Sequence, residues 1–489
     1  MSRSSHFGEG DSFSQLSDEF MCWLRQSAGV RISQKIKIAD LRSESAGRGI
    51  VACNDINQDE ELFAIPQGLV LSFQNSKLKD LLDINESDLG PWLCLILVMI
   101  FEYLQAGASP WSQYFKVLPR TFDTLMFWTD AELQELKGSA VLNKIGKREA
   151  EETILLKVQP IISGNPHLFP PAKDQSSYDT LEGKVALLSL AHRMGSLIMA
   201  CAFDMEKGED EEKEGQDGYV TDDEEQQLSK GMVPLADLLN ADANRNNARL
   251  FQEDGDLVMK SIKAIRCGEE IFNDYGELPR ADLLRRYGYV TDNYAQYDEV
   301  EVSIQTICRA AGLESTAPGQ ERQRLEFLED LGAFDDGYSI PRLDPATPLT
   351  DSLPEDLLIV LNTLTMPLEQ FNQLKTKNKA PKPNLGVPEA TLLAQAVQQT
   401  LDEYGTTLEK DEELLASFPN IQAPTNSAVS PTRFKMALQV RKGEKEILSQ
   451  LLTTLREFVA HQVQLPDAPT VTKRSTESFM GSDEKRRRL

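Results

Sequence analysis

A chain of 489 residues has room for two or three domains, each able to bury a core of its own. Its 40% hydrophobic and 26% charged residues describe a soluble globular protein. A formal net charge of −26 argues against direct nucleic-acid binding and suits basic partners such as lysine-rich ribosomal or histone segments, although acidity for solubility alone reads the charge equally well.

In chain order, residues 1–17 are Ser/Gly-rich and are expected to be disordered. A helix follows over 18–26, with Phe20, Trp23 and Leu24 on one face. Short strands are predicted at 36–41, 49–53 and 60–65, the first two flanking the glycine-rich turn Ala46-Gly47-Arg48-Gly49. From 89 to 230 the pattern turns helical. Residues 91–105 are apolar on nearly every face, so that helix is expected in a core. Segments 130–137 and 147–159 are amphipathic, and 185–203 is long and apolar. Within this insert, 206–227 carries eleven acids against two lysines and is expected to be disordered.

The longest apolar run, 92–101, is ten residues, too short to cross a bilayer, and 2–6 shows no apolar signal region. The six cysteines stand singly with no CxxC pair, so neither a disulfide framework nor a structural zinc is expected.

Residues 231–290 concentrate the unusual choices. The apolar segment 232–239 holds one acid, Asp237, and runs into DLLN, ending at Asn240. Residues 240–247 contain four Asn, one Asp and one Arg. Two strands, 249–252 and 257–262, are joined by Asp254-Gly255, a hairpin signal. Then comes NDYG, Asn273 to Gly276, and a helix begins near Pro279 with Leu283, Leu284 and Tyr287 at helical spacing. Residues 298–465 read as helices joined by Pro-rich loops, with three–four spacing at Leu393, Val397 and Leu401 and again at Ile447, Leu448, Leu451, Leu452 and Leu455. Residues 466–489 form an expected disordered tail ending in the basic cluster Lys485–Arg488, a nuclear-import candidate.

The glycine turn, DLLN and NDYG together resemble the SET domain of protein lysine methyltransferases, in the subclass of the Rubisco large-subunit and fungal ribosomal enzymes. The resemblance covers about 20–460. It implies an α+β fold: a SET-domain β fold over 18–290 with a helical insertion at about 89–230, then an all-α substrate-binding domain over 298–465. It implies S-adenosylmethionine as methyl donor, bound by Ala46, Gly47, Arg48, Asn240, Ala241 and Tyr275. Tyr275 is the implied catalytic residue, and Trp92, Cys201, Asp237 and Tyr287 line the substrate side. The implied partner is a protein with a target lysine, a basic ribosomal protein that gains one methyl group. A monomer resident in the nucleus, without membrane attachment, is the accompanying expectation.

The sequence departs from the family at Ala241, where most members carry His, and at Cys201, where relatives carry Arg or Tyr. Each residue also has a plainer reading. The glycine turn alone is an ordinary hairpin, Asn240 a turn cap, Asp237 a buried cap and Trp92 core packing. A catalytically weak binding module, and a methyltransferase for a nuclear non-ribosomal protein, are the alternatives. No third glycine follows the turn, so it is not a dinucleotide fingerprint.

Overall fold

A computed structural model of the chain describes residues 9–44, 46–84, 86–171, 176–205, 229–313, 318–418 and 428–464. The acidic loop 206–227 and the basic-ended tail 466–489 lie outside them.

The N-terminal half is built on small antiparallel sheets. Strands β1 (Arg31–Ile32), β4 (Glu61–Pro66), β8 (Asp256–Ser261) and β7 (Ala248–Glu253) form one sheet in that order. Strands β2 (Ile36–Asp40), β3 (Arg48–Ala52) and β9 (Glu270–Ile271) form a second. The β7–β8 hairpin turns at Asp254-Gly255, both at positive φ, as the Asp-Gly pair predicts. A third, two-stranded sheet pairs β5 (Ala202–Met205) with β6 (Ser229–Met232) at the far end of the insert. The sequence reads a helix to 203, but the chain leaves helix after Cys201, and Phe203 pairs with Gly231.

The insert helix Pro91–Leu104 buries nine consecutive residues, Cys94 to Glu102, consistent with its all-round apolar sequence. Its one acid in that run, Glu102, is satisfied by the hydroxyls of Ser76 (2.6 Å) and Ser109 (2.7 Å). The helix Leu181–Cys201 is apolar and long enough to cross a membrane by length and composition, yet it buries Leu187, Ala191, Met194, Leu197 and Ile198 in the same core. Each of the Leu, Met and Ile side chains contributes about 1.5–3 kcal/mol.

The first helix spans Glu9–Gln26 and so begins inside the stretch expected to be disordered. A physical tie explains the extension. The guanidinium of Arg48 lies 3.7 Å over the ring of Phe13, and its Nε donates to Ser17 Oγ at 3.0 Å. Composition does not reveal a partner 35 residues away.

The C-terminal half has its own core, from Val300 to Leu455. It is helical, with one two-stranded sheet at its start, β10 (Glu299–Ser303) with β11 (Gly337–Pro341). That antiparallel strand pair, its strands separated by two helices, is an addition to the all-α reading of this region. The long helix Pro431–Gln464 runs from this core to a third apolar cluster. There Met436, Ala437 and Val440 meet Leu125, Trp128, Leu136 and Val141 of the insert and Leu284.

Candidate active site

The turn between β2 and β3 is closed by Leu41 N–H to the Gly47 carbonyl (2.7 Å) and Ala46 N–H to the Leu41 carbonyl (3.1 Å). Gly47 sits at φ +70°, and a Cβ there would meet nothing within 4 Å. The turn therefore presents bare backbone to open space, where a ligand can approach closely.

The Arg48 side chain turns away from that space. Besides Phe13 and Ser17 it reaches the Val117 carbonyl (3.1 Å), so it pins the first helix and the insert onto the turn. Its backbone carbonyl points the other way and accepts from Asn240 Nδ2 at 3.2 Å. The second amide hydrogen of Asn240 goes to Glu270 Oε1 at 2.7 Å. Loops 192 positions apart in the chain thus meet at one amide. Both donors of Asn240 are held by protein, and among the described residues its side-chain oxygen makes no hydrogen bond, leaving an acceptor at the turn.

The segment after Asn240 clasps the strand that leads to Tyr275. Asn273 N–H donates to the Asn240 carbonyl (2.8 Å), and Ala241 bridges Asn273 in parallel register. At the other end, the side chain of Asn247 imitates a peptide: it accepts from Phe272 N–H (2.8 Å) and donates to the Glu270 carbonyl (3.0 Å). Asp242 holds the loop between, accepting from the backbone N–H groups of Asn244 and Arg245, the Arg245 guanidinium and Asn293. Burial alone would raise its carboxyl, but these donors hold it below the usual carboxylate range. The Asn-rich run is thus a hydrogen-bonded clasp and not a free loop.

Tyr275 emerges from that clasp. Its hydroxyl donates to the Leu239 carbonyl at 3.2 Å, one residue before Asn240. Its ring stacks on Tyr287, centroids 4.2 Å apart and planes within 9°, and Tyr289 meets Tyr287 edge-on at 6.4 Å. Tyr287 is the last residue of the helix Arg280–Tyr287, which Gly288 ends at φ +76°. Burial, then the neighbouring Tyr287, Tyr289, Cys201 and Asp237, push the Tyr275 phenol well above its ordinary pKa. At neutral pH it is a neutral phenol, suited to orient reacting atoms and unsuited to act as a phenolate base.

Asp237 lies on the same side. Its carboxyl is pushed up to about 7 by burial, against hydrogen bonds from Tyr114 and local backbone that pull it down. Cys201, at the end of its helix, is raised well above an ordinary thiol by burial and then by the Asp237 charge. Trp92 and Tyr287 line one cavity of about 690 Å³, with Arg285, Arg286, Glu149 and the Lys230–Asp204 ion pair at its wall. The sequence-predicted residues therefore form one connected site. Ala46, Gly47, Asn240 and Ala241 lie on the turn side, Tyr275, Asp237 and Cys201 between, and Tyr287 and Trp92 on the cavity side. Among the described residues no cluster of metal-ligating side chains occurs.

A SET domain model matches residues 47–276, and one described as Rubisco LSMT substrate-binding matches 319–448. The N-lysine methyltransferase SETD6 of Bos taurus is 30% identical over 476 residues, 89% of this chain and 94% of the relative. This chain belongs to the SET-domain protein-lysine N-methyltransferases.

Ribosomal lysine N-methyltransferase 4 of Saccharomyces cerevisiae is 35% identical over 311 residues, covering 61% of this enzyme and 60% of that one. The structure titled Rubisco LSMT bound to AdoMet superimposes with a TM-score of 0.65 at 22% identity, over 92% of this enzyme and 93% of that chain, a likeness of fold. Tyr114 and Tyr289, which touch the candidate residues Asp237 and Tyr287, escaped the sequence reading. Tyr114 sits in the apolar run WSQYF, where nothing local separates a site phenol from a core one. The tandem Tyr287-Gly-Tyr289 was a usable signal for the second.

Proposed function

We propose that the enzyme transfers one methyl group from S-adenosylmethionine to the ε-amine of a lysine in a large-subunit ribosomal protein. The observation that carries this reading is the meeting of Asn240 with the Arg48 carbonyl, directly beside the stacked Tyr275–Tyr287 pair. That contact supports a reading in which donor and acceptor meet at one point from opposite sides. The bare turn at Gly47 and the free side-chain oxygen of Asn240 fit the amino-acid end of the donor, whose ammonium needs an acceptor. Ala241 contributes backbone to the same wall.

The chemistry is an in-line displacement. The amine forms an N–CH₃ bond as the S–CH₃ bond breaks, the sulfonium leaves as a neutral thioether, and the amine gives one proton to solvent. A free lysine has a pKa of roughly 10.4, so the amine must first be made neutral. Burial beside a sulfonium charge does this. Tyr275 aims the amine lone pair, and Tyr287 and Trp92 wall the aliphatic stem through the cavity.

Similarity to the yeast ribosomal enzyme supports the ribosomal substrate, and the net charge of −26 suits a basic protein. The longer alignment is with SETD6, whose name carries no ribosomal substrate, so a nuclear non-ribosomal protein is the second reading, and the basic cluster Lys485–Arg488 supports a nuclear site of action for either. Purified enzyme with labelled S-adenosylmethionine, offered fractionated ribosomal-protein and nuclear extracts in parallel, decides between them. A single labelled large-subunit band carrying one methyl by mass is expected. Label confined to a nuclear-extract fraction would replace the ribosomal reading, and donor binding without transfer would reduce the chain to a binding module.

A further inference from the structure

Tyr114 lies on the short insert helix Ser112–Val117 and is completely buried. Its ring stacks on Phe20 at 6.0 Å and leans on Phe115 at 6.5 Å, which fixes where its hydroxyl points. That hydroxyl donates to Oδ2 of Asp237. The other carboxylate oxygen, Oδ1, is shielded from solvent and has no hydrogen-bond partner among the described residues. Leaving such an oxygen unpaired costs about 1–3 kcal/mol, and costs of this kind persist where a ligand supplies the missing bond.

The turn that presents Asp237 is itself strained. Leu235, fully buried, holds φ +79° two residues earlier, a conformation L side chains rarely adopt. The titratable groups facing Asp237 come from three elements: Tyr114 from its short helix, Cys201 from the end of Leu181–Cys201, and Tyr275 from the clasped strand. None is a cation, so an incoming ammonium is the natural counter-charge.

We propose that Tyr114 is a positioning residue of the methyl-transfer site: by holding one oxygen of Asp237 it fixes the orientation of the carboxyl group and leaves Oδ1 as the acceptor for an N–H of the target lysine beside Tyr275. The proposal rests on the lysine-methylation reading and deepens it. Tyr114 touches neither donor nor lysine. It acts through Asp237, which draws the ammonium in and gives direction to its remaining hydrogens after the proton leaves.

Tyr114→Phe keeps the ring and its packing and removes only the donor. Because burial raises Asp237 and the Tyr114 hydroxyl opposes that rise, the variant's carboxyl takes up its proton at higher pH. With the substrate protein, the acid limb of kcat/KM should move up by about one pH unit, KM for that protein should rise about tenfold, and S-adenosylmethionine affinity should stay unchanged. In an Asp237→Asn background the same change should add no further loss, because there is no carboxylate left to hold. The infrared band of the Asp237 carboxyl, identified by its disappearance in Asp237→Asn, should titrate at higher pH in Tyr114→Phe, a readout that needs no turnover.

A lower Tm with an unmoved acid limb and an unmoved carboxyl band would make Tyr114 merely structural and overturn the proposal. Additive losses in the double variant would do the same. Should the wild type transfer no methyl group to any protein, the activity reading fails by itself, while the infrared titration still decides whether Tyr114 governs Asp237. If Tyr114→Phe alone does not fold, Asp237→Asn by itself decides: a KM for the substrate protein and an acid limb equal to wild type overturn the proposal.

Discussion

Two buried polar clusters flank the insert, and their bonding differs in kind. At the joint between the two halves, Asp411 is fully buried and accepts four hydrogen bonds, two on each oxygen: Arg441 Nη2 at 2.9 Å and Thr406 Oγ1 at 2.6 Å on Oδ1, Lys445 Nζ at 2.6 Å and Arg441 Nε at 3.2 Å on Oδ2. Nearby, Glu444 accepts from Ser139 (2.6 Å) and Tyr404 (2.9 Å), and Arg280 grips Asp298 at 2.6 Å. Gly443 lets the long helix press on that last pair, since a Cβ there would lie 2.1 Å from Asp298 Oδ2. In the candidate site the count does not close. Among the described residues Asp237 keeps a shielded oxygen unbonded and Asn240 keeps an acceptor free, and Leu235 stores backbone strain. A saturated network fixes geometry, whereas an unsaturated one reserves bonds for a substrate.

If the joint is purely structural, its variants should lose stability without altering the chemistry. Asp411→Ala leaves Lys445 buried without its counter-charge and Arg441 with only the partly exposed Glu135, and denaturant unfolding should show a loss of about 3–5 kcal/mol. Remaining folded enzyme should keep its pH profile. A changed profile would break the distinction.

Glu444 sharpens it through pH. Burial raises its carboxyl from 4.5 to about 7, so the folded protein holds a proton that the unfolded chain releases. Its stabilising contribution is therefore complete below about pH 4.5 and is lost as pH rises towards 7. Integrated over that window the loss is roughly 3 kcal/mol, and Glu444→Gln should flatten that part of the stability–pH curve. Asp237, raised in the same sense, should contribute a similar slope that Glu444→Gln leaves in place.

In the candidate site the expected pattern reverses. Tyr275→Phe should lower kcat by about 100-fold, from the loss of one aimed polar group, with donor affinity and Tm nearly unchanged. Isothermal titration with S-adenosylmethionine and a melting scan check both halves of that statement. The smallest effect belongs to the border between the regions. Arg48→Lys loses the planar stack on Phe13 and at least one of the bonds to Ser17 and Val117, costing about 1–2 kcal/mol of stability. It should weaken donor binding several-fold by loosening the turn, and leave kcat at saturating donor unchanged.

Much of the architecture was legible along the chain. The glycine turn, the Asp-Gly hairpin and the all-apolar 91–105 segment each state a local preference, and β2, β3, β4, β7, β8 and the buried helix Pro91–Leu104 follow it closely. The two-residue strand β9 and the helix extension to Glu9 did not announce themselves. The first is defined only by its neighbours, the second by Arg48 closing over Phe13. Five residues of π-helix, Ile154–Val158, likewise interrupt a segment whose periodicity reads as ordinary helix.

By itself the sequence determined which residue types were available for the site and roughly where along the chain they stand: an amide at 240, a phenol at 275, a second at 287, an acid at 237. These follow from short motifs, whose spacing is a property of the chain. What only the tertiary structure decided is which atoms of those residues face one another: that Arg48 offers its carbonyl inward and its charge outward, and that Asp237 is half-occupied by a tyrosine 123 positions earlier. Hydrogen-bond direction and burial depend on partners brought in from distant segments, and no local pattern encodes them.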